Sequence, residues 1–186
     1  LKFIGGTHLD GKTNNDVTAI NFDACEVSSV PRGLIKSFPN LQILSIYNSK
    51  LKSVKKEDFV GLENLKFLFL NGNEIEFLPG NLFENLKDLE AVSFHTNKIK
   101  FIEPNLLDGM KKLKFLSFTG NINIDKCFNE YDNTRNATLE EIKNEINEKC
   151  QPPACLLDLM NELMHKDKEL IEIKLGFHGD LNKLIK

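Results

Sequence analysis

The sequence predicts an α/β repeat solenoid, in which similar coils stack and their short strands form a parallel sheet on the concave face. Three observations predict it. Apolar residues recur with a period of 24 through most of the chain, a polar residue recurs at one position of that period, and 14 phenylalanines occur without any tryptophan. A period of this length is typical of solenoids, in which each coil buries its apolar side only against its neighbours.

The repeat consists of five rows that start every 24 residues and together span residues 17–124, the fifth row being incomplete. The row 65–88 reads LKFLFLNGNEIEFLPGNLFENLKD, with apolar residues at positions one, four, six and eleven. The rows start at Val17, Leu41, Leu65, Leu89 and Leu113. Since all the starts have the same spacing without insertion, the rows predict five stacked coils.

Each row contains a short strand and a polar ninth position. Positions four to six alternate between apolar and polar residues, which predicts a strand with one face inward. The ninth position can satisfy backbone amides that the following turn leaves inside the coil. A cysteine is an accepted alternative there, so we interpret Cys25 as structural. The residues of this column are Cys25, Ser49, Asn73, Asn97 and Asn121.

The rows resemble the typical extracellular class of leucine-rich repeats, whose second half carries the F-x-x-L element of Phe59–Leu62 and Phe83–Leu86. The segments GTHLDGKTNNDV, VPRGLIKSFPNL and GNINIDKC with EKCQPP are similar to small secreted repeat proteins of dipteran insects. The resemblance implies a protein that binds partners outside the cell, in innate immunity or cell recognition, without catalysis or a cofactor.

Both ends of the solenoid need caps that cover its terminal coils. Residues 1–16 predict an amino-terminal β cap inside which the chain begins, and residues 125–153 a carboxy-terminal cap. Within the latter, Thr138 and Glu141 form a capping-box pattern that opens a helix to about Lys149. Residues 154–186 predict a tail helix. We interpret this helix as packed or solvent-exposed, with a dimerising helix as the alternative.

The cysteines and one glycosylation sequon give information on the cellular location of the protein. Cys127 and Cys150 bracket the predicted cap helix, and in a secreted repeat protein a disulfide between them would staple the cap, contributing about 3 kcal/mol. Zinc bound by Cys150, Cys155 and His165 is the weaker alternative, because a second tight ligand pair is missing. The pairing of Cys25 and Cys155 stays open. Asn136 begins a glycosylation sequon, and these features predict an extracellular location.

Other functions are disfavoured by charge and context. The net charge of −3 argues against nucleic acid, and no apolar run is long enough to span a bilayer. Gly6–Thr13 matches the phosphate-binding loop pattern G-x-x-x-x-G-K-T, but it leads into the first repeat strand instead of a helix. The four histidines are scattered and belong to no catalytic or metal-ligand motif, so we expect no metal, no cofactor and no enzyme activity.

The outward positions of the strands form the candidate binding surface. They carry an unusual number of apolar and aromatic residues, which we expect to be exposed and to bind a protein or peptide. The predicted site residues are Ile43, Tyr47, Phe67, Phe69, Asn71, His95 and Phe115. The alternative is a self-associating structural or packaging protein, a homodimer assembled through the tail helix.

Overall fold

About four turns of a solenoid form the body of the protein, and the fifth predicted coil is incomplete because its strand, Phe115–Ser117, is followed by a different arrangement of elements. This computed structural model describes residues 10–31, 33–130 and 137–152. A 3-10 helix, Asn14–Asp16, precedes β1, Ala19–Asp23, and α1, Leu34–Ser37. The remaining elements are β2 (Ile43–Tyr47), a 3-10 helix (Lys56–Phe59), β3 (Phe67–Phe69), β4 (Phe77–Leu78), β5 (Ala91–Ser93), β6 (Phe101–Ile102), β7 (Phe115–Ser117), β8 (Cys127–Asn129) and α2 (Leu139–Lys149).

Two sheets run along the solenoid. The larger has the order β1-β2-β3-β5-β7-β8, and its first five strands are parallel. Residues exactly one row apart pair across it, as Leu44 does with Leu68. The smaller sheet pairs β4 with β6 in parallel. The predicted parallel sheet and its register are therefore confirmed, although the strands begin at position three of each row instead of position four.

The core lies between these sheets and consists of the apolar columns of the repeat. Phe59, Phe94 and Phe118 are fully buried, and the rings of Phe94 and Phe118 stack with centroids 5.7 Å apart. The two rings belong to successive coils, so their contact links the core of one coil to that of the next. Aromatic pairs favour such a separation. Part of the phenylalanine excess therefore fills the core.

Helix α2 packs against the core where the sequence predicts a carboxy-terminal cap. Thr138 accepts a hydrogen bond from the Glu141 amide at 3.1 Å, and the Glu141 carboxylate accepts one from the Thr138 amide at 2.7 Å, so the predicted capping box is confirmed. Ile142 and Ile146 are buried against the core. The main-chain oxygen of Cys150 accepts a hydrogen bond from Ile102 at 2.8 Å, which ties the helix end to β6.

Some predicted features lie outside the described residues. These include most of the amino-terminal β cap, the sequon asparagine Asn136, Cys155 and the tail helix. The chain divides into the units Leu1–Gln151 and Pro152–Lys186, and all the elements given above belong to the first. In the described ranges, no helix has the length and apolarity to cross a membrane.

Candidate functional site

The outward side chains of the large sheet form continuous rows across the coils. Ile43 pairs with Phe67, Phe67 with Ala91, and Ala91 with Phe115. Phe69 pairs with serines on both neighbouring strands. The structure therefore brings the predicted apolar residues onto one face. We call Ile43, Tyr47, Phe67, Phe69 and Phe115 the concave patch.

The concave patch is half-buried, so its side chains are less exposed than the sequence predicts. Among the described residues, the large apolar side chains that are exposed are Val60 and Ile122, both at 58% and both outside the patch. The physical reason is that small residues share the rows of the patch and are themselves buried, which indicates that the larger side chains lean over them. These small residues are Ser45, Ala91, Ser93 and Ser117.

Two rings of the patch are also in mutual contact. The centroids of Phe67 and Phe69 are 6.4 Å apart, with the rings tilted by 35°. This separation lies within the range of favourable aromatic pairs. The contact limits the freedom of both rings before any partner binds, and an ordered apolar surface loses less conformational entropy on association.

Polar residues follow the patch at position seven of the rows. Asn71 is half-buried and His95 is exposed, whereas Asp23 and Tyr47 occupy the same position in the first two coils. Strand pairing places Tyr47 beside Asp23. The predicted polar site residues therefore flank one side of the concave patch.

The backbone turns sharply just after position seven. The residues there have positive φ angles, including 48° at Asn48, 65° at Gly72 and 53° at Thr96. A side chain at Gly72 would collide with its neighbour, because a Cβ would lie 2.1 Å from Oδ1 of Asn48. Glycine at this position therefore lets the Asn48 side chain lie across the next coil, at the edge of the site.

An asparagine ladder inside the coils holds the strands in place. Oδ1 of Asn73 accepts hydrogen bonds from the amides of Ser49 and Leu51, both at 3.0 Å. Its Nδ2 donates to the carbonyl of Ile46 at 2.7 Å and to that of Leu70 at 3.1 Å. Asn97 and Asn121 repeat this arrangement one and two coils later. The predicted role of the ninth position is confirmed for these asparagines.

Cys25 occupies the first position of that column. It is exposed, and its thiol donates to the carbonyl of Asp23 at 3.2 Å. Its amide donates to Oγ of Ser49 at 3.3 Å. Cys25 therefore joins the ladder through its backbone, while its side chain bonds locally within its own coil.

Inter-coil ion pairs line both rims of the sheet. On one rim, Nζ of Lys114 lies 3.3 Å from Glu90. On the other, Nζ of Lys98 lies 3.6 Å from Glu74, and Lys50 contacts Glu26. Each lysine thus pairs with the carboxylate 24 residues earlier. The hydrogen bond from Lys50 lowers the pKa of Glu26 below its usual value. Because charges of opposite sign alternate along the rims, their fields largely cancel.

No disulfide joins Cys127 and Cys150 in this structure, so the bridge stays a prediction. The Cys150 thiol lies 3.7 Å from the carbonyl oxygen of Asn123, and Sγ of Cys127 lies 3.8 Å from that of Phe128. Burial raises the pKa of the Cys150 thiol to about 11, and the nearby charge of Glu145 adds to the increase. The cap is held here by the packing of α2 and by the contact between Lys126 and Glu145 at 3.2 Å.

Strand β8 is a part of the face that the repeat pattern did not predict. It runs antiparallel to β7 and places Asn129 opposite Phe115 and Cys127 opposite Ser117. The alternation of polar and apolar residues at Cys127, Phe128 and Asn129 is the sequence feature that could have predicted this strand. The strand follows the last row, however, so the period of 24 could not place it.

Neither of two shallow cavities in the first unit lies on the concave patch. Volumes of about 230 Å³ and about 200 Å³ are found beside the cap helix, and both are lined by Leu107 and Lys143. Within the described ranges, no group of three histidine, cysteine, aspartate or glutamate residues could hold a metal ion. In the segment that matches the phosphate-binding loop pattern, Nζ of Lys12 forms an ion pair with Asp16 at 3.3 Å. The chain then continues into β1.

Comparisons with solved structures support the fold. Over 58% of this chain, a chain of the Toll–Spätzle complex, described as a hub in Drosophila development and innate immunity, matches with a TM-score of 0.52 and 23% identity. Its glycosylated form gives 0.53 and 24% over the same share. The APL1 leucine-rich repeat domain gives 0.52 and 20%, also over 58%. This chain covers 15% of each Toll–Spätzle match and 28% of the APL1 structure.

No curated protein matches the sequence. The likeness to the solved structures is at low identity and concerns the fold. The family model described as leucine rich repeat matches residues 16–75 and 70–122, which together make up more than half of the chain. The chain therefore belongs to the leucine-rich repeat family.

Proposed function

We propose that this chain is a non-catalytic recognition module that binds a protein partner outside the cell through the concave patch. The observation that carries the proposal is the continuity of the patch: apolar side chains of four neighbouring strands, from Ile43 on β2 to Phe115 on β7, align in register without an intervening charge. Clustered aromatic residues are typical anchors of protein interfaces.

A protein partner suits this surface better than a small molecule. Neither of the two described cavities touches the patch, and small molecules generally bind in concave pockets. Toll forms a complex with Spätzle in the structures that share this fold. By analogy we propose a role in innate immunity or cell recognition and the kinship with small secreted proteins of dipteran insects that the sequence suggested. Fold alone does not carry a function from one protein to another, so the experiment must address the patch itself.

The test compares capture by the wild-type chain and by the double variant Phe67→Ser with Phe69→Ser. Each immobilised protein is exposed to native extracellular fluid, and retained proteins are quantified by mass spectrometry. We expect a protein that wild type retains and the double variant loses. Val60→Ser is the matched control, because it removes an exposed apolar side chain from outside the patch.

Two outcomes would contradict the proposal. One is a partner that the double variant retains as well as wild type does. The other is a partner that Val60→Ser loses equally, which would indicate general apolar adhesion. Circular dichroism must show that all variants keep the wild-type fold.

Self-association through residues 154–186 is the second candidate. It comes from the tail helix that the sequence predicts, and these residues lie outside the described ranges. Sedimentation of the full chain is compared with that of a chain that ends at Pro153. A mass that halves on truncation would favour assembly through the tail, whereas an unchanged mass would exclude it.

A further inference from the structure

Asn71 carries a polar atom beside the concave patch that has no partner. Its Oδ1 is buried and accepts no hydrogen bond. Among the described residues, one other buried side-chain oxygen, Oε1 of Glu103, shares this condition, and it lies outside the site residues. Because an unpaired buried acceptor costs stability, folded proteins keep few of them, and each requires an explanation.

Three donors of the same and the adjoining coils bond to acceptors other than Oδ1 of Asn71. Nδ2 of Asn48, in the preceding coil, donates to Oδ1 of Asp23 at 3.4 Å. The amide of Gly72 donates to the carbonyl of His95 at 2.9 Å, and the amide of His95 donates to Oγ of Ser93 at 3.3 Å. None of the three supplies the missing bond, so Oδ1 is left as an acceptor for a donor on a partner.

The surroundings of Asn71 select the chemistry of that donor. Phe69 lies two residues earlier on the same face of the coil, and Tyr47 holds the equivalent position in the preceding coil. A group bound at Asn71 therefore has aromatic neighbours. A neutral hydroxyl loses less hydration on entering such a surface than an ammonium or guanidinium group does, and one hydroxyl is enough for the one unpaired acceptor.

The charges around the patch point the same way. Lysines on both rims are paired with carboxylates of the preceding coil, as Lys114 is with Glu90 and Lys98 with Glu74. A charged partner would gain little net attraction from such alternating rims. The surface is therefore complementary to an uncharged occupant.

We propose that Asn71 determines partner specificity by accepting a hydrogen bond from the hydroxyl of a tyrosine side chain whose ring packs against Phe69 and Tyr47. The inference rests on the proposed function, since it concerns the same face. The terminal torsion of an asparagine side chain turns easily, so Oδ1 can swing outward to meet the hydroxyl. Tyrosine combines a large apolar ring with a polar tip, which suits a site that is apolar except for one acceptor.

The test uses two uncharged probes that differ by one hydroxyl group, N-acetyl-tyrosinamide and N-acetyl-phenylalaninamide. Their dissociation constants for the full chain are measured by NMR titration. We expect the tyrosine probe to bind about fivefold more tightly, the gain typical of one hydrogen bond. This preference should disappear in Asn71→Leu and persist in Asn71→Asp, which keeps an acceptor oxygen.

Phe69→Ser separates failure of this inference from failure of the proposed function. If both probes bind wild type equally and Phe69→Ser weakens both, the patch binds but the role of Asn71 is overturned. A tyrosine preference that survives in Asn71→Leu would also overturn it. If neither probe binds, or if Phe69→Ser leaves both dissociation constants unchanged, the role of Asn71 and the proposed binding function of the patch are both overturned.

Discussion

Asn71 and Asn73 are two residues apart in the same coil, yet their side chains have opposite environments. Asn73 is buried, and its amide group bonds to backbone groups of its own coil and of the preceding coil. Asn71 faces the concave side and leaves its oxygen unpaired. The comparison shows that position within the row decides whether the same residue type bonds to the backbone of the solenoid or keeps an unpaired oxygen on the concave side.

The same division applies to phenylalanine. Phe94 and Phe118 face inward and stack in the core, whereas Phe67 and Phe69 face the concave side with part of their surface accessible. Inward residues should therefore govern folding, and outward residues should govern binding.

The largest expected effect comes from shortening an inward ring. Phe94→Ala removes a fully buried side chain and should lower the free energy of unfolding by about 4 kcal/mol. Phe69→Ala, the matched outward variant, should lower it by less, about 1–2 kcal/mol, because part of its ring surface stays in solvent. Urea denaturation of both variants measures the difference, and equal losses would break the comparison.

The two asparagines provide the next effect. Asn73→Ala leaves the buried amides of Ser49 and Leu51 without their acceptor and should cost about 3 kcal/mol. Asn71→Ala removes an oxygen that has no partner, so stability should stay within about 0.5 kcal/mol of wild type. If Asn71→Ala proved as destabilising as Asn73→Ala, Asn71 would be a structural residue.

Cys150 is an inward group whose titration can be measured. Burial raises its pKa to about 11, from an ordinary value of 9.0. Since the unfolded chain loses this proton at lower pH, the free energy of unfolding should fall as pH rises from about 9 to about 11. The fall should be present in reduced wild type and smaller in Cys150→Ala. Repeating the titration without reductant tests the bridge to Cys127, because a disulfide would remove the thiol and its pH dependence.

The rim ion pairs should give the smallest effect. Lys98 lies 3.6 Å from Glu74 on one rim of the large sheet, and both side chains are exposed. Lys98→Met should change the free energy of unfolding by less than about 0.5 kcal/mol, since solvent and salt screen such pairs. Thermal denaturation of this variant at low and high salt measures the contribution, and a loss comparable to that of Asn73→Ala would show that the rims stabilise the coils strongly.

Much of the fold follows from the period of 24, because each row repeats the same inward residues and so fixes both the register and the core. The asparagine ladder follows for the same reason. The half-buried state of the patch does not, since it depends on how Phe67 and Phe69 lean over small neighbours in adjacent coils. The period of 24 also could not predict strand β8, because this strand lies beyond the rows. It could not predict the unpaired oxygen of Asn71, because that depends on which acceptors the neighbouring donors bond to.

The most direct test of the account is hydrogen–deuterium exchange of the chain with and without the partner captured by wild type. We expect added protection in the residues that carry the concave patch, on β2, β3 and β7, and in the adjoining segment with Asn71. Strands β4 and β6 on the smaller sheet should exchange unchanged. Protection confined to β4, β6 or the cap helix α2 would contradict the assignment of the concave patch as the binding surface.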